Sequence, residues 1–290
     1  MPKSITSQEQ KEIKLQTEEI KSRKILIIKF IYILFIPILL SCSKDENLEV
    51  IGVVEEFSLQ SNIIKDSYPI YVYLPENYSY DSSNQLIIGL DGDTRFNAIA
   101  NLISDKTQNG SMPPSILISI GNNKNRNRDY TPTSYDYGTG GANNFYQFIK
   151  EELIPELESR YNLDPSNNKT LIGHSFGGLF TQYVMAQNRQ DNPFNKFIAS
   201  GTSYWYGSGV IFEYEQNYAN ENIDLDVTFY NGMGTLEGGV MLASFEEMNE
   251  RIENRSYPNF KHKNELIEKS GHTGSANTIF KKGLDYVFNN

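Results

Sequence analysis

The stretch Leu171-Ile172-Gly173-His174-Ser175-Phe176-Gly177-Gly178 decides how the rest of the chain is read. Apolar residues run into a G-x-S-x-G, and a helical pattern over Gly178–Gln190 follows. A serine on so sharp a strand-to-helix turn takes strained backbone angles. Side chains two residues to either side would collide, which accounts for Gly173 and Gly177. The helix beside Ser175 points its N-terminal amides and positive dipole end at whatever reacts there. The backbone N–H of Phe176 is then placed to bind an oxyanion. The plain alternative is a glycine-rich turn that packs a helix onto a strand.

A serine hydroxyl is a poor nucleophile until a histidine takes its proton. The chain has three histidines, His174, His262 and His272. His174 neighbours Ser175, and adjacent residues on such a turn point apart, so it reads as a packed, hydrogen-bonded side chain. His262 lies in the charged stretch Phe260-Lys261-His262-Lys263, which reads as a solvated face. His272 follows a strand, in a loop before the last helix, and there the ends of an α/β sheet collect reactive groups. It is the expected base. The acid belongs between Ser175 and His272, beyond the strand Val227–Tyr230. In the loop Asn231–Gly239, Glu237 is the one acidic residue. Its work would be to accept a hydrogen bond from the imidazole. The plain reading of Glu237 is a solvated loop carboxylate.

Working outward, Val50–Leu59 and Tyr68–Leu74 read as strands that pair antiparallel. Leu86–Leu90, Ser115–Ile120, Thr170–Ile172, Phe197–Ser200, Val227–Tyr230 and Asn264–Glu268 add short strands. Gly141–Tyr161 reads as a helix from Phe145, Phe148, Ile149, Leu153 and Leu157, with a kink expected at Pro155. Leu242–Arg255 and Ala276–Phe288 read as further helices. Short apolar strands alternating with amphipathic helices predict an α/β fold with a mostly parallel central sheet and helices on both faces.

The chain has 290 residues and a net charge of −10. Seven of its 26 basic and four of its 36 acidic residues fall in the first 42, which leaves −13 on the remainder. Phosphate would repel such a surface, so nucleic-acid binding is set aside. The sole cysteine is Cys42, which excludes an internal disulfide and a thiolate metal cluster. No Walker sequence and no G-x-G-x-x-G after a strand is present, so no metal, nucleotide or flavin cofactor is expected.

Lys21, Arg23 and Lys24 precede the apolar run Ile25–Leu40, and Leu39-Leu40-Ser41-Cys42 ends it. That order of basic, apolar and small residues is a secretory signal pattern. The run is shorter than the roughly 20 residues a membrane span needs. Its end resembles a bacterial lipobox, in which the cysteine is lipidated and becomes the new N-terminus. An uncleaved anchor with an incidental cysteine is the alternative. The reading is a lipoprotein signal over 1–41, a lipidated tether over 42–49 and one catalytic domain over 50–290. Its expected place is the bacterial outer membrane, on the periplasmic or the cell-surface face.

From about Val53 to Phe288 the chain resembles an esterase family of α/β-hydrolases. That family includes enterochelin (siderophore) esterases, esterase D-like enzymes and feruloyl esterase domains. The segments that carry the resemblance are Leu90-Asp91-Gly92-Asp93, Arg126-Asn127-Arg128-Asp129-Tyr130-Thr131-Pro132 and Gly140-Gly141-Ala142. Glu151-Glu152-Leu153-Ile154-Pro155, the Ser175 turn, Ser203-Tyr204-Trp205 and Gly271-His272 complete them. The resemblance implies the α/β-hydrolase fold, Ser175 as nucleophile, His272 as base and an acid near Glu237. It also implies a second oxyanion donor from the backbone near Gly92 or Asp93. Arg126 is read as a substrate contact or as a loop-fixing partner of Asp129, and Trp205 as a stacking surface or a core residue. The expected function is a serine carboxylic-ester hydrolase acting on a small-molecule ester, siderophore, carbohydrate or phenolic. An acyltransferase using the same acyl-enzyme and a non-catalytic binding lipoprotein are the alternatives.

Overall fold

The computed structural model describes residues 50–289, apart from 77, 80–83, 123 and 167. The signal over 1–41, the tether over 42–49 and Cys42 lie outside the described residues. Strands β1 (Gly52–Gln60) and β2 (Ser67–Pro75) form the expected antiparallel pair. Then come β3 (Gln85–Gly89), α1 (Gly92–Gln108), β4 (Ser115–Ile120) and the short α2 (Arg126–Asp129). A two-stranded ribbon, β5 (Ser134–Tyr135) and β6 (Gly138–Thr139), leads into α3 (Ala142–Gln147). A π-helical segment, Phe148–Leu153, joins α3 to α4 (Ile154–Tyr161). The second half repeats strand and helix: β7 (Lys169–His174), α5 (Phe176–Met185), β8 (Phe194–Ser200) and α6 (Tyr206–Glu221). It ends with β9 (Thr228–Gly234), α7 (Gly239–Arg255), β10 (Lys261–Ile267) and α8 (His272–Asn289).

Eight strands form one sheet in the order β1-β2-β4-β3-β7-β8-β9-β10. β2 meets β4 antiparallel, and every pair from β4 to β10 is parallel. The mostly parallel α/β sheet read from the sequence is the sheet observed. Its central strands are buried on both faces, so they read as apolar runs without alternation. Ile87, Leu117, Ile172 and Ile198 point to the face covered by α1 and α8, where they meet Ile99, Ile103, Ile279 and Leu284. Leu86, Ile118, Leu171 and Phe197 point to the other face, against Phe145, Ile149, Leu179 and Phe180.

Three local readings need correction. α1 and α6 were not anticipated at all. The long helix is not uniform: a π-helical segment precedes Pro155, whose missing N–H removes one hydrogen bond from the otherwise continuous helix. His272 opens α8 and does not lie in the loop before it. Because β7, β9 and β10 are parallel, the turns after all three emerge at one edge of the sheet, and the site is built there.

Candidate active site

Ser175 stands between β7 and α5 with φ 60° and ψ −117°, a backbone geometry that side chains rarely adopt. The surrounding backbone holds it. Its N–H donates to the Ser200 carbonyl at 2.9 Å, and its own carbonyl accepts from Leu179 at 3.0 Å and Ser203 at 3.3 Å. The glycine requirement is one-sided. A Cβ on Gly173 would lie 2.2 Å from the Gly177 carbonyl oxygen, a contact that cannot exist. On Gly177 the nearest atom would be Asp91 Oδ2 at 3.3 Å, tight but within reach of adjustment.

Glu237 reaches the same edge on the turn after β9, and His272 does so as the first residue of α8, just past the turn after β10. Those turns are zipped together: Thr235 N–H donates to Ile267 C=O at 3.0 Å, and Leu236 N–H to Ser270 C=O at 3.0 Å. The zipper brings Glu237 Oε2 to 2.7 Å from His272 Nδ1. Glu237 is buried, so it is not the solvated loop carboxylate of the plain reading. Its second oxygen, Oε1, accepts the Gly234 N–H at 3.0 Å. A carboxylate oxygen accepts, so Nδ1 is the donor in this pair, and the neutral tautomer that fits it has Nε2 as an acceptor.

Ser175, Glu237 and His272 line one cleft of about 560 Å³. Tyr137, Phe176 and Trp205 form an aromatic wall, with ring centroids 5.8 Å and 6.2 Å apart in sequence. Leu236, Val240 and Met241 face the same space, and Leu236 and Val240 are both more than two-thirds exposed. Such apolar exposure at a cleft mouth fits contact with a ligand better than a solvated surface.

Arg126 also lines the cleft, but its partner is not Asp129. Its Nε and Nη2 grip the buried Asp91 carboxylate at 2.6 Å and 3.1 Å, and Nη2 also donates to the His174 carbonyl at 3.0 Å. Arg126 thus ties the turn after β3 to the residue before Ser175. Asp129 is held by Arg128 and Tyr68. Asp93 lies in the first turn of α1, and its carboxylate accepts from Asn122 N–H at 2.6 Å and Tyr71 Oη at 3.2 Å. Its side chain is thus committed toward β2 and β4, and Asp93 is absent from the cleft lining. Trp205 is half-buried in the aromatic wall, neither a core residue nor a free surface one.

His174 is buried behind the cleft, with Nδ1 3.2 Å from Ser200 Oγ and its ring 4.6 Å from the His272 ring. Burial first, then the charges of Arg95, His272 and Arg126, push its pKa down to about 2, so it stays neutral. His262, in β10, stacks on Phe260 just before the strand and is not part of the cleft. One residue in contact with the nucleophile was missed. Ser203 Oγ lies 3.4 Å from Ser175 Oγ and lines the cleft. Only the resemblance segment Ser203-Tyr204-Trp205 pointed near it. Among the described residues no cluster of three or more His, Cys, Asp or Glu is placed to hold a metal ion.

A mostly parallel sheet with helices on both faces, a serine on a strained strand-to-helix turn and a buried Glu–His pair at the same edge define an α/β-hydrolase. The chain belongs to the family described as "Putative esterase", whose model matches residues 61–268. It is similar to the ferri-bacillibactin esterase of Bacillus subtilis, 25% identical over 175 residues, 53% of this chain and 60% of that protein. It is also similar to the apo-salmochelin esterase of Escherichia coli, 26% identical over 133 residues, 39% of this chain and 40% of that protein. The matched stretches therefore span less than two-thirds of these curated relatives. Among solved structures, the BES protein of Bacillus cereus superposes with a TM-score of 0.73 at 26% identity, covering 81% of this chain and 96% of that one.

Proposed function

We propose that the chain is a serine carboxylic-ester hydrolase that works through an acyl-enzyme on Ser175. The observation that carries this reading is the 2.7 Å Glu237–His272 pair opening into the cleft that Ser175 lines. Ser175 Oγ attacks the ester carbonyl carbon while its proton passes to His272 Nε2. Glu237 accepts the Nδ1–H bond and stabilises the imidazolium. The N–H of Phe176, at the start of α5, binds the oxyanion; a second donor from the backbone of Asp93 rests on the family resemblance alone, since Asp93 does not line the cleft. The C–O bond to the alcohol breaks as His272 returns the proton to it. Water then attacks the acyl carbon with His272 as base, and Ser175 leaves with its proton restored. In this structure Ser175 Oγ is paired with Ser203, and the mechanism requires it to turn to His272 when substrate binds.

The aromatic wall with Trp205, and the edge of Arg126 not spent on Asp91, suit an ester with a planar or polar acyl part. The relatives' names make a siderophore ester the leading substrate, with carbohydrate and phenolic esters behind it. None of these relatives is named an acyltransferase or a binding protein, so the hydrolase reading leads. The Leu39–Cys42 pattern supports lipid anchoring at Cys42 in the bacterial outer membrane.

The test is labelling of the full-length chain with an activated fluorophosphonate, followed by peptide mass analysis. The expected result is an adduct on Ser175 whose formation slows by at least about 10³-fold in His272→Ala. Folded protein that takes no adduct would overturn the reading.

A further inference from the structure

The turn between β8 and α6 touches every member of the Ser–His–Glu set. A Cβ on Gly201 would sit 3.1 Å from His272 Nδ1 and 3.2 Å from Glu237 Oε1. Two residues on, Ser203 donates its N–H to the Ser175 carbonyl at 3.3 Å and accepts the Tyr206 N–H at 3.1 Å on its own carbonyl. Its backbone is therefore held on both sides. Only 2% of Ser203 is exposed, and among the described residues its hydroxyl has one hydrogen-bond partner, Ser175 Oγ at 3.4 Å.

The direction of that bond follows from proton count. Each hydroxyl has one proton. During attack the Ser175 proton is committed to His272 Nε2, so the proton between the two oxygens has to come from Ser203. We infer that Ser203 is a catalytic residue: it donates a hydrogen bond to Ser175 Oγ and stabilises the negative charge that grows there as His272 takes the proton. This rests on the ester-hydrolase reading and extends it. The bond is neutral in the resting state and charge-assisted as the oxygen loses its proton, and charge-assisted bonds are shorter and roughly twice as strong. The 3.4 Å separation, long for a hydroxyl pair, leaves room for that shortening. The bond therefore favours the transition state over the ground state, which is the condition for a rate effect.

The experiment compares fluorophosphonate labelling rates of Ser175 in the full-length wild type and in Ser203→Ala, Ser203→Cys and Ser203→Thr. The phosphorus probe reports attack by Oγ without requiring the natural ester. Loss of the hydroxyl is expected to slow labelling about 10-fold in the Ala and Cys variants, at an unchanged half-saturating probe concentration. The Thr variant, which keeps the hydroxyl, is expected to label within about 3-fold of wild type. Thermal melts identify any variant that does not fold, and the Cys variant, which keeps an atom at the hydroxyl's position, stands in if the Ala variant does not. Labelling of the Ala and Cys variants at the wild-type rate would overturn the inference. Equal slowing in all three would also overturn it, since packing and not the hydroxyl would then matter. A wild type that takes no adduct sinks the hydrolase reading itself, and this inference with it, which sets that failure apart from one confined to Ser203.

Discussion

The rings of His174 and His272 pack 4.6 Å apart, tilted by 40°, and the structure gives them opposite surroundings. His272 is open to the cleft, while His174 is sealed behind it among Arg95 from α1, Arg126 from α2 and the Ser200 hydroxyl from β8. A cationic His174 would repel the imidazolium that the proposed mechanism forms on His272, and burial prevents that. The consequence for stability has a definite sign. The unfolded side chain titrates near 6.5, and the folded one is pushed down to about 2. Between those values the unfolded chain holds a proton that the native chain does not. Stability from this group is complete above pH 6.5 and is lost as the pH falls, by up to about 1.4 kcal/mol per pH unit. Chemical denaturation of His174→Gln between pH 4 and 7 is expected to show a shallower pH slope, smaller by about one proton. A slope equal to that of wild type would show that His174 is not held neutral.

The Ser175 turn is a property of β7 and α5 together. Gly173 belongs to the strand, and its missing Cβ is what lets the first turn of α5 fold back onto β7. Gly177 belongs to the helix and faces Asp91 with some slack. The two glycines look equivalent in the sequence and are not. Gly173→Ala is expected to cost about 3 kcal/mol and to abolish Ser175 labelling, whereas Gly177→Ala is expected to keep most of both. Thermal melts with labelling separate the two, and equal effects would refute the distinction. The elements that escaped sequence reading did so for identifiable reasons. α1 does carry an acidic start, with Asp91 at the cap and Asp93 in the first turn, so its signal was present and went unread. Gly207, Ser208 and Gly209 in α6 all have positive φ, which breaks the helical pattern just where the helix begins. The π-helical segment keeps its apolar residues at near-helical spacing, so nothing in the pattern distinguishes it from an α-helix.

At the scale of the molecule, the parallel order β7-β8-β9-β10 brings residues 175, 203, 237 and 272 to one edge of one sheet. The proposed lipid at Cys42 concerns where that edge works. In the expressed full-length chain, Cys42→Ala is expected to move the protein out of the membrane fraction or to leave its precursor uncleaved. An unchanged fractionation and mass would end the lipoprotein proposal. The parallel sheet, the serine turn, and the candidacy of His272 and Glu237 were legible from residues alone. Strand and helix periodicity is local, the G-x-S-x-G is contiguous, and a chain with three histidines and one acidic residue in the right loop leaves little to choose among. Tertiary structure alone decided that Arg126 grips Asp91 and not Asp129, that His174 backs onto His272, and that Ser203 reaches Ser175. Those contacts join residues 28 to 98 positions apart. Their existence depends on the register of neighbouring strands and on which side chains the closing sheet buries, and no short-range pattern encodes either.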